Sequence, residues 1–212
     1  MSARLVVVPM KDPALAKTRL GAVLPAARRA RLASLLFTRV LHRLQRAQAD
    51  ATHPFEIATV TASPAIAELA RGLGVRVIPE GATGGLNAAI RQAAGWAVLR
   101  GHHGMAVLPG DLAAPTQRDL LALLNRPVDP DRVVICASAD GGTNALLLPL
   151  PARMDFHYGP GSFVAHCAAA RAAGLDPETP ALASLRHDID RQEDLSALLT
   201  HPTRATLAEV RP

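Results

Sequence analysis

Met105-Ala106-Val107-Leu108-Pro109-Gly110-Asp111-Leu112 is an apolar run of strand length, stopped by a Pro-Gly break, with one carboxylate just beyond it. In open α/β sheets ligands gather at the carboxyl ends of strands, and an Asp there is placed to hold a hard divalent cation. A Gly-Asp turn that merely ends the strand is the plainer alternative, and this stretch alone leaves both open. Outward from it, apolar runs alternate with helix-periodic stretches. Before it the sequence predicts strands at 4–8, 56–60 and 75–79 and helices at 25–48, 64–73 and 85–99. After the 104–108 strand it predicts helices at 116–125, 161–173 and 191–199, with strands at 132–137, 144–149 and 182–186. Such alternation predicts an α/β fold, a mostly parallel sheet covered by helices on both faces. With no repeat and no long linker, residues 1–212 are expected to form a single domain. Asp176-Pro177-Glu178-Thr179-Pro180 reads as an exposed loop, and the tail from His201 as a loose end.

Composition narrows the function classes. The 212 residues are 49% hydrophobic and 19% charged, ordinary for a globular protein with one sizeable core. No apolar run approaches the roughly 18 residues needed to span a bilayer, and the first residues enter a strand-like run without a signal-peptide pattern. A cytoplasmic protein with no membrane partner is expected. Cys136 and Cys167 fit no metal or disulfide spacing and read as core.

The net charge of +5 suits a polyanionic or phosphorylated partner. Nucleic acid is the rival, but aromatic residues make up only 3% of the chain and offer few stacking platforms. Much of the excess charge lies in Arg28, Arg29, Arg31, Arg39, Arg43 and Arg46. These read as the wet face of a helix whose apolar stripe is Leu32, Leu35, Leu36, Val40 and Leu44. No nucleic-acid partner is expected.

Five further clusters fall at the same edge of such a sheet. Pro9-Met10-Lys11-Asp12-Pro13-Ala14-Leu15-Ala16-Lys17-Thr18-Arg19 follows the first strand and carries Lys11, Lys17 and Arg19. It lacks the glycines of a phosphate loop, so those side chains are the candidates for a triphosphate, against a merely solvated loop. Gly84-Gly85-Leu86-Asn87 opens a helix, its glycines admitting close approach of a ligand and Asn87 serving as cap or base reader. Asp140-Gly141-Gly142-Thr143-Asn144 enters a strand, either as a plain turn or with Thr143 offering its hydroxyl and N–H to a phosphate. Gly159-Pro160-Gly161-Ser162-Phe163 precedes a helix, with Ser162 at or near its cap, where unpaired N–H groups favour an anion. Last, Asp188 and Asp190 flank Ile189. In an extended segment the two acids share a face while Ile189 turns to the core. In a helix they would point about 200° apart. Capping of the last helix by Asp190 is the alternative.

Three carboxylates, three loop cations and glycine-opened anion seats imply phosphoryl or nucleotidyl transfer with Mg²⁺. No nucleophile elbow or Cys-His pairing suggests covalent catalysis. Over nearly its whole length the chain resembles the 2-phospho-L-lactate or phosphoenolpyruvate guanylyltransferases of coenzyme F-420 biosynthesis. These are nucleotidyltransferases with one Rossmann-like, GT-A-like domain. The residues that carry the resemblance are Val8-Pro9-Met10-Lys11, Ala16-Lys17-Thr18-Arg19-Leu20, Gly85-Leu86-Asn87-Ala88-Ala89 and Leu108-Pro109-Gly110-Asp111-Leu112. Gly142-Thr143-Asn144-Ala145-Leu146, Gly159-Pro160-Gly161-Ser162-Phe163 and Asp188-Ile189-Asp190 complete it.

The resemblance implies transfer of GMP from GTP to a phosphorylated three-carbon acid: phosphoenolpyruvate, favoured here, or 2-phospho-L-lactate or 3-phospho-D-glycerate. By position it implies acceptor binding by Thr143, Gly159 and Ser162, and Mg²⁺ on Asp111, Asp188 and Asp190. Lys17 and Arg19 would meet the triphosphate and join Asp111 as catalytic residues. Pro9, Lys11, Lys17, Gly85 and Asn87 would line the nucleotide. It further implies handover of the product to a deazaflavin-accepting transferase. Oligomeric state is not written in these residues, and a homodimer is left open. The rivals are a sugar-phosphate or molybdenum-cofactor nucleotidyltransferase, a GT-A glycosyltransferase that would release a nucleoside diphosphate, and a non-catalytic nucleotide binder.

Overall fold

The computed structural model describes residues 4–79, 81, 84–190 and 192–195. Seven strands build one sheet: β1 (Arg4–Pro9), β2 (Phe55–Thr61), β3 (Arg76–Pro79), β4 (Gly104–Val107), β5 (Arg132–Ala137), β6 (Thr143–Pro149) and β7 (Asp176–Glu178). Their order is β3-β2-β1-β4-β6-β5-β7. All pairings are parallel except those of β6, which runs antiparallel to both β4 and β5. The sheet is therefore mostly parallel, as the alternating pattern predicts. The chain leaves β1 toward β2 and β3, then crosses back to β4 on the other side. That reversal opens a crevice at the carboxyl ends of β1 and β4. Because β6 is reversed, its first residue, Thr143, reaches the same edge.

Helices α1 (Ala26–Asp50), α2 (Pro64–Gly72), α3 (Gly85–Leu99), α4 (Gln117–Leu124) and α5 (Ser162–Ala172) cover both faces. Strand alternation sorts the core between them. Val6 and Val8 of β1 pack with Phe37, Val40 and Leu44 of α1, with Ile66 of α2 and with Leu120 and Leu123 of α4. Leu5 and Val7 pack on the other face with Ala89, Ile90 and Ala93 of α3 and Cys167 and Ala170 of α5. On α1 the apolar stripe is buried, apart from half-buried Leu35, while Arg28, Arg31 and Arg46 are exposed. Both cysteines are free and buried, and burial pushes the Cys136 thiol up to about 12. Among the described residues no helix is long and apolar enough to cross a membrane.

Two expectations fail, for physical reasons. The strand expected at 182–186 is instead a 3₁₀ turn, Ala183–Leu185. Leu182 and Leu185, three apart, are both buried, which is the 3₁₀ period and not the strand period of two. Ser184 in that turn accepts from the Thr116 N–H at 3.0 Å and gives its own N–H to Asp119 at 2.8 Å, holding it to the start of α4. Conversely, the loop expected at 176–180 begins with β7. Buried Leu175 anchors it, and its edge position needs no N–H from Pro177 on the outer side. Of the expected 191–199 helix, residues 192–195 are helical; its other residues, and the tail from His201, lie outside the described residues.

Candidate active site at the carboxyl edge of the sheet

The loop after β1 is pinned on either side of one lysine. Ala16 is buried in the main core, and Leu20 packs with Leu32, Leu36 and Ile189. Between them Lys17 adopts φ 56°, the only positive φ on a non-glycine among the described residues. Left-handed backbone costs a side-chain-bearing residue about 1–2 kcal/mol, so neighbouring structure must impose it. The result is a buried ammonium ion-paired with Asp111 and, at 3.2 Å, with Asp190. Burial disfavours its charge, but the two carboxylates outweigh burial and hold the Lys17 pKa above its ordinary value.

Asp111 is delivered by the Pro-Gly break. Gly110 has no room for a side chain: a Cβ there would lie 2.9 Å from Phe37 Cδ2 and 3.4 Å from Val8 Cγ1. The segment carrying the other two acids then pairs antiparallel with the residues after β4. Ala113 N–H donates to His187 O at 2.9 Å, and Ile189 N–H to Asp111 O at 3.2 Å. This pairing makes 187–190 extended. Asp188 and Asp190 face one side while Ile189, 1% exposed, enters the core. Oxygens of Asp111, Asp188 and Asp190 all come within 4.8 Å of one another. Burial, and then the charge of Asp111, pushes the Asp188 carboxyl up to about 6. Three half-buried carboxylates brought this close, with the charge of Asp111 bearing on Asp188, are a donor set that suits a hard divalent cation. Asp190 does not cap the following helix. Its carboxylate takes Lys17 and, at 3.1 Å, Arg19, while its own N–H goes to Asp194 at 2.9 Å.

Two clefts adjoin at this cluster and share Pro9, Leu86 and Pro109 as a common wall. The larger, about 390 Å³, is lined by Met10, Val60, Leu86 and Ala89, with Lys11, Lys17, Gly85, Asp111 and Asp190. The smaller, about 190 Å³, is lined by Thr143, Asn144, Tyr158, Gly159, Ser162 and Asp188. The acids thus divide between the clefts and meet where they join. Arg19 is in neither lining; its side chain, 58% exposed, meets the cluster through Asp190.

Two sequence expectations look different in place. Asn87 lines neither cleft. Its Oδ1 accepts from Tyr158 N–H at 2.7 Å and its Nδ2 donates to Tyr158 O at 3.2 Å, so both ends of the amide clamp the segment before α5. Ser162 is not a side-chain cap: Gly161, at φ 69°, holds that position, and the Ser162 hydroxyl instead meets Thr143 Oγ1 at 3.3 Å. Sequence reasoning also missed Asn144 and His166. A β-bulge sets Thr143 and Asn144 together opposite Ala137, so that both line the smaller cleft. Nothing in the sequence marks that bulge. His166 could have been found, because it lies four residues after Ser162 and so on the same helical face.

A doubly wound sheet with three carboxylates at its switch point, a cation loop beside them and two adjoining clefts fits a nucleotidyltransferase. Residues 4–209 match the family model described as "Guanylyl transferase CofC like", and the chain belongs to that family. It is 36% identical over 190 residues to the phosphoenolpyruvate guanylyltransferase of Chloroflexus aggregans, covering 90% of this chain and 94% of that one. It is 34% identical over 206 residues to the 3-phospho-D-glycerate guanylyltransferase of Colwellia psychrerythraea, covering 95% of each. Among solved structures, 4-diphosphocytidyl-2C-methyl-D-erythritol synthase matches with a TM-score of 0.61 at 12% identity, over 94% of this chain and 99% of that chain. That likeness concerns the fold. The protein is a guanylyltransferase enzyme, as its family shows.

Proposed function

We propose that this chain transfers GMP from GTP to phosphoenolpyruvate, releasing pyrophosphate, in the cytoplasmic route to coenzyme F-420. Asp111, Asp188 and Asp190 would hold Mg²⁺. The observation that carries this reading is the convergence of those carboxylates where the two clefts adjoin. The apolar lining of the larger cleft suits a purine, and open space beside Gly85 admits it. Pro9, Lys11 and Lys17, with Arg19 beside Asp190, would line the triphosphate. Since the Asn87 amide is committed to Tyr158, the guanine falls to Gly85 and its neighbours, and Asn87 holds the acceptor wall in place.

Thr143, Gly159 and Ser162 would bind the acceptor. Asn144 Nδ2, buried and without a hydrogen-bond partner among the described residues, lines the same cleft; such an atom favours a polar ligand. About 190 Å³ fits a three-carbon acid better than a sugar phosphate. The phosphate oxygen of the acceptor attacks the α-phosphorus of GTP, and the bond to pyrophosphate breaks in line. No side chain need act as base, because a phosphate monoester with second pKa near 6 is already largely ionised at neutral pH. Bound Mg²⁺ supplies charge neutralisation between the two polyanions. Lys17 and Arg19 add theirs by exchanging carboxylate oxygens for phosphate oxygens. The unstable product would pass to a deazaflavin-accepting transferase.

The test is pyrophosphate release from GTP and Mg²⁺ with phosphoenolpyruvate, 3-phospho-D-glycerate or 2-phospho-L-lactate, the downstream transferase and its acceptor trapping the product. Release with phosphoenolpyruvate is expected. No release with phosphoenolpyruvate from folded protein would refute the reading.

A further inference from the structure

His166 sits one turn into α5, fully buried, with both ring nitrogens engaged. Nε2 lies 2.9 Å from the backbone N–H of His157, a group that can only donate, so Nε2 carries no proton. Nδ1 lies 2.9 Å from Thr143 Oγ1. A neutral imidazole bare at Nε2 keeps its proton on Nδ1, so Nδ1–H donates and the threonine oxygen accepts. Burial, then the neighbouring His157, pushes the His166 pKa down to about 4, which keeps the ring neutral at working pH. The Tyr158 ring packs edge-on against it, with centroids 4.7 Å apart, and fixes its plane.

Thr143 has one hydroxyl proton and two lone pairs. One lone pair takes His166 Nδ1–H, and the other takes the Ser162 hydroxyl at 3.3 Å. We infer that His166 is a positioning residue: by occupying Thr143 as an acceptor, it commits that hydroxyl to donate into the smaller cleft, readying it for an anionic oxygen of the phosphorylated acid. The inference rests on the reading of that cleft as the acceptor site. Without His166 the hydroxyl is free to turn and must be reoriented whenever an acceptor binds.

Three variants and one spectrum test this. His166→Leu removes both ring hydrogen bonds, and His166→Asn returns an N–H near the place of Nδ1. In the pyrophosphate assay His166→Leu should raise the KM for phosphoenolpyruvate about tenfold, the scale of one hydrogen bond, with the KM for GTP unchanged. His166→Asn should restore most of that loss. Adding His166→Leu to Thr143→Val should cost nothing further, because His166 acts only through the hydroxyl that Thr143→Val has already removed. In the ¹⁵N spectrum of the wild-type protein, His166 should carry its proton on Nδ1 from pH 6 to 8. An Nε2-protonated ring, an unchanged acceptor KM in folded His166→Leu, or additive losses in the double variant would overturn the inference. The spectrum needs no substrate, so it decides the hydrogen-bond assignment even if the wild type turned over none of the acceptors, the result that would instead defeat the guanylyltransferase reading.

Discussion

His166 joins a stability prediction to the site. Its folded pKa of about 4 lies below the ordinary value near 6.5, so between those pH values the unfolded chain binds a proton that the native state refuses. Stability from this group is therefore whole above pH 6.5 and is lost as pH falls toward 4, by roughly 3 kcal/mol. Urea unfolding from pH 7 to 4 should show that slope in the wild type and a shallower one in His166→Asn; equal slopes would contradict it. At this scale the three acids are legible: Asp188 and Asp190 because i and i+2 in an extended segment must share a face, and Asp111 because it follows the end of an apolar strand. The roles of Lys17 and Asn87 are less so. Their charge and amide chemistry show in the sequence, but Lys17 turns inward only because Ala16 and Leu20 pin the loop, and Asn87 meets Tyr158 only across the tertiary structure.

Elements aim these residues through the core. Ile189 locks the 187–190 segment into a cluster with Leu20, Leu32 and Leu36, so the same residue holds Asp188 and Asp190 in register. Ile189→Ala should cost about 2–5 kcal/mol by cavity formation and lower turnover as well. Calorimetry and the pyrophosphate assay measure both, and a stable variant with full turnover would show that the segment needs no such anchor. Gly110→Ala should cost about 1–3 kcal/mol by forcing a methyl against Phe37. Around the crevice the helices can be read from periodicity, since each buries a stripe, and β1, β4, β5 and β6 from continuous apolar runs, since these strands are buried on both faces. The 3₁₀ turn at Ala183–Leu185 and edge strand β7 cannot. Each is too short to show a period, and each is held by partners distant in sequence: Thr116 and Asp119 for the turn, Asp131 for β7.

Across the molecule, the order β3-β2-β1-β4-β6-β5-β7 brings a basic loop, an acid pair and a helix start from opposite ends of the chain to one crevice. If the acids hold Mg²⁺ in the folded protein alone, the ion at a hundred times its dissociation constant should stabilise the wild type by about 2.7 kcal/mol, and Asp188→Asn by much less. Thermal unfolding with and without Mg²⁺ reads that difference. The central claim, nucleotidyl transfer to a small phosphorylated acid at the three-carboxylate cluster, is met most directly by one comparison. Pyrophosphate release from GTP and Mg²⁺ is followed with phosphoenolpyruvate for the wild type and for Asp111→Ala. Acceptor-dependent release by the wild type, lowered by orders of magnitude in a folded Asp111→Ala protein, is the predicted result; normal turnover by that variant would contradict the account.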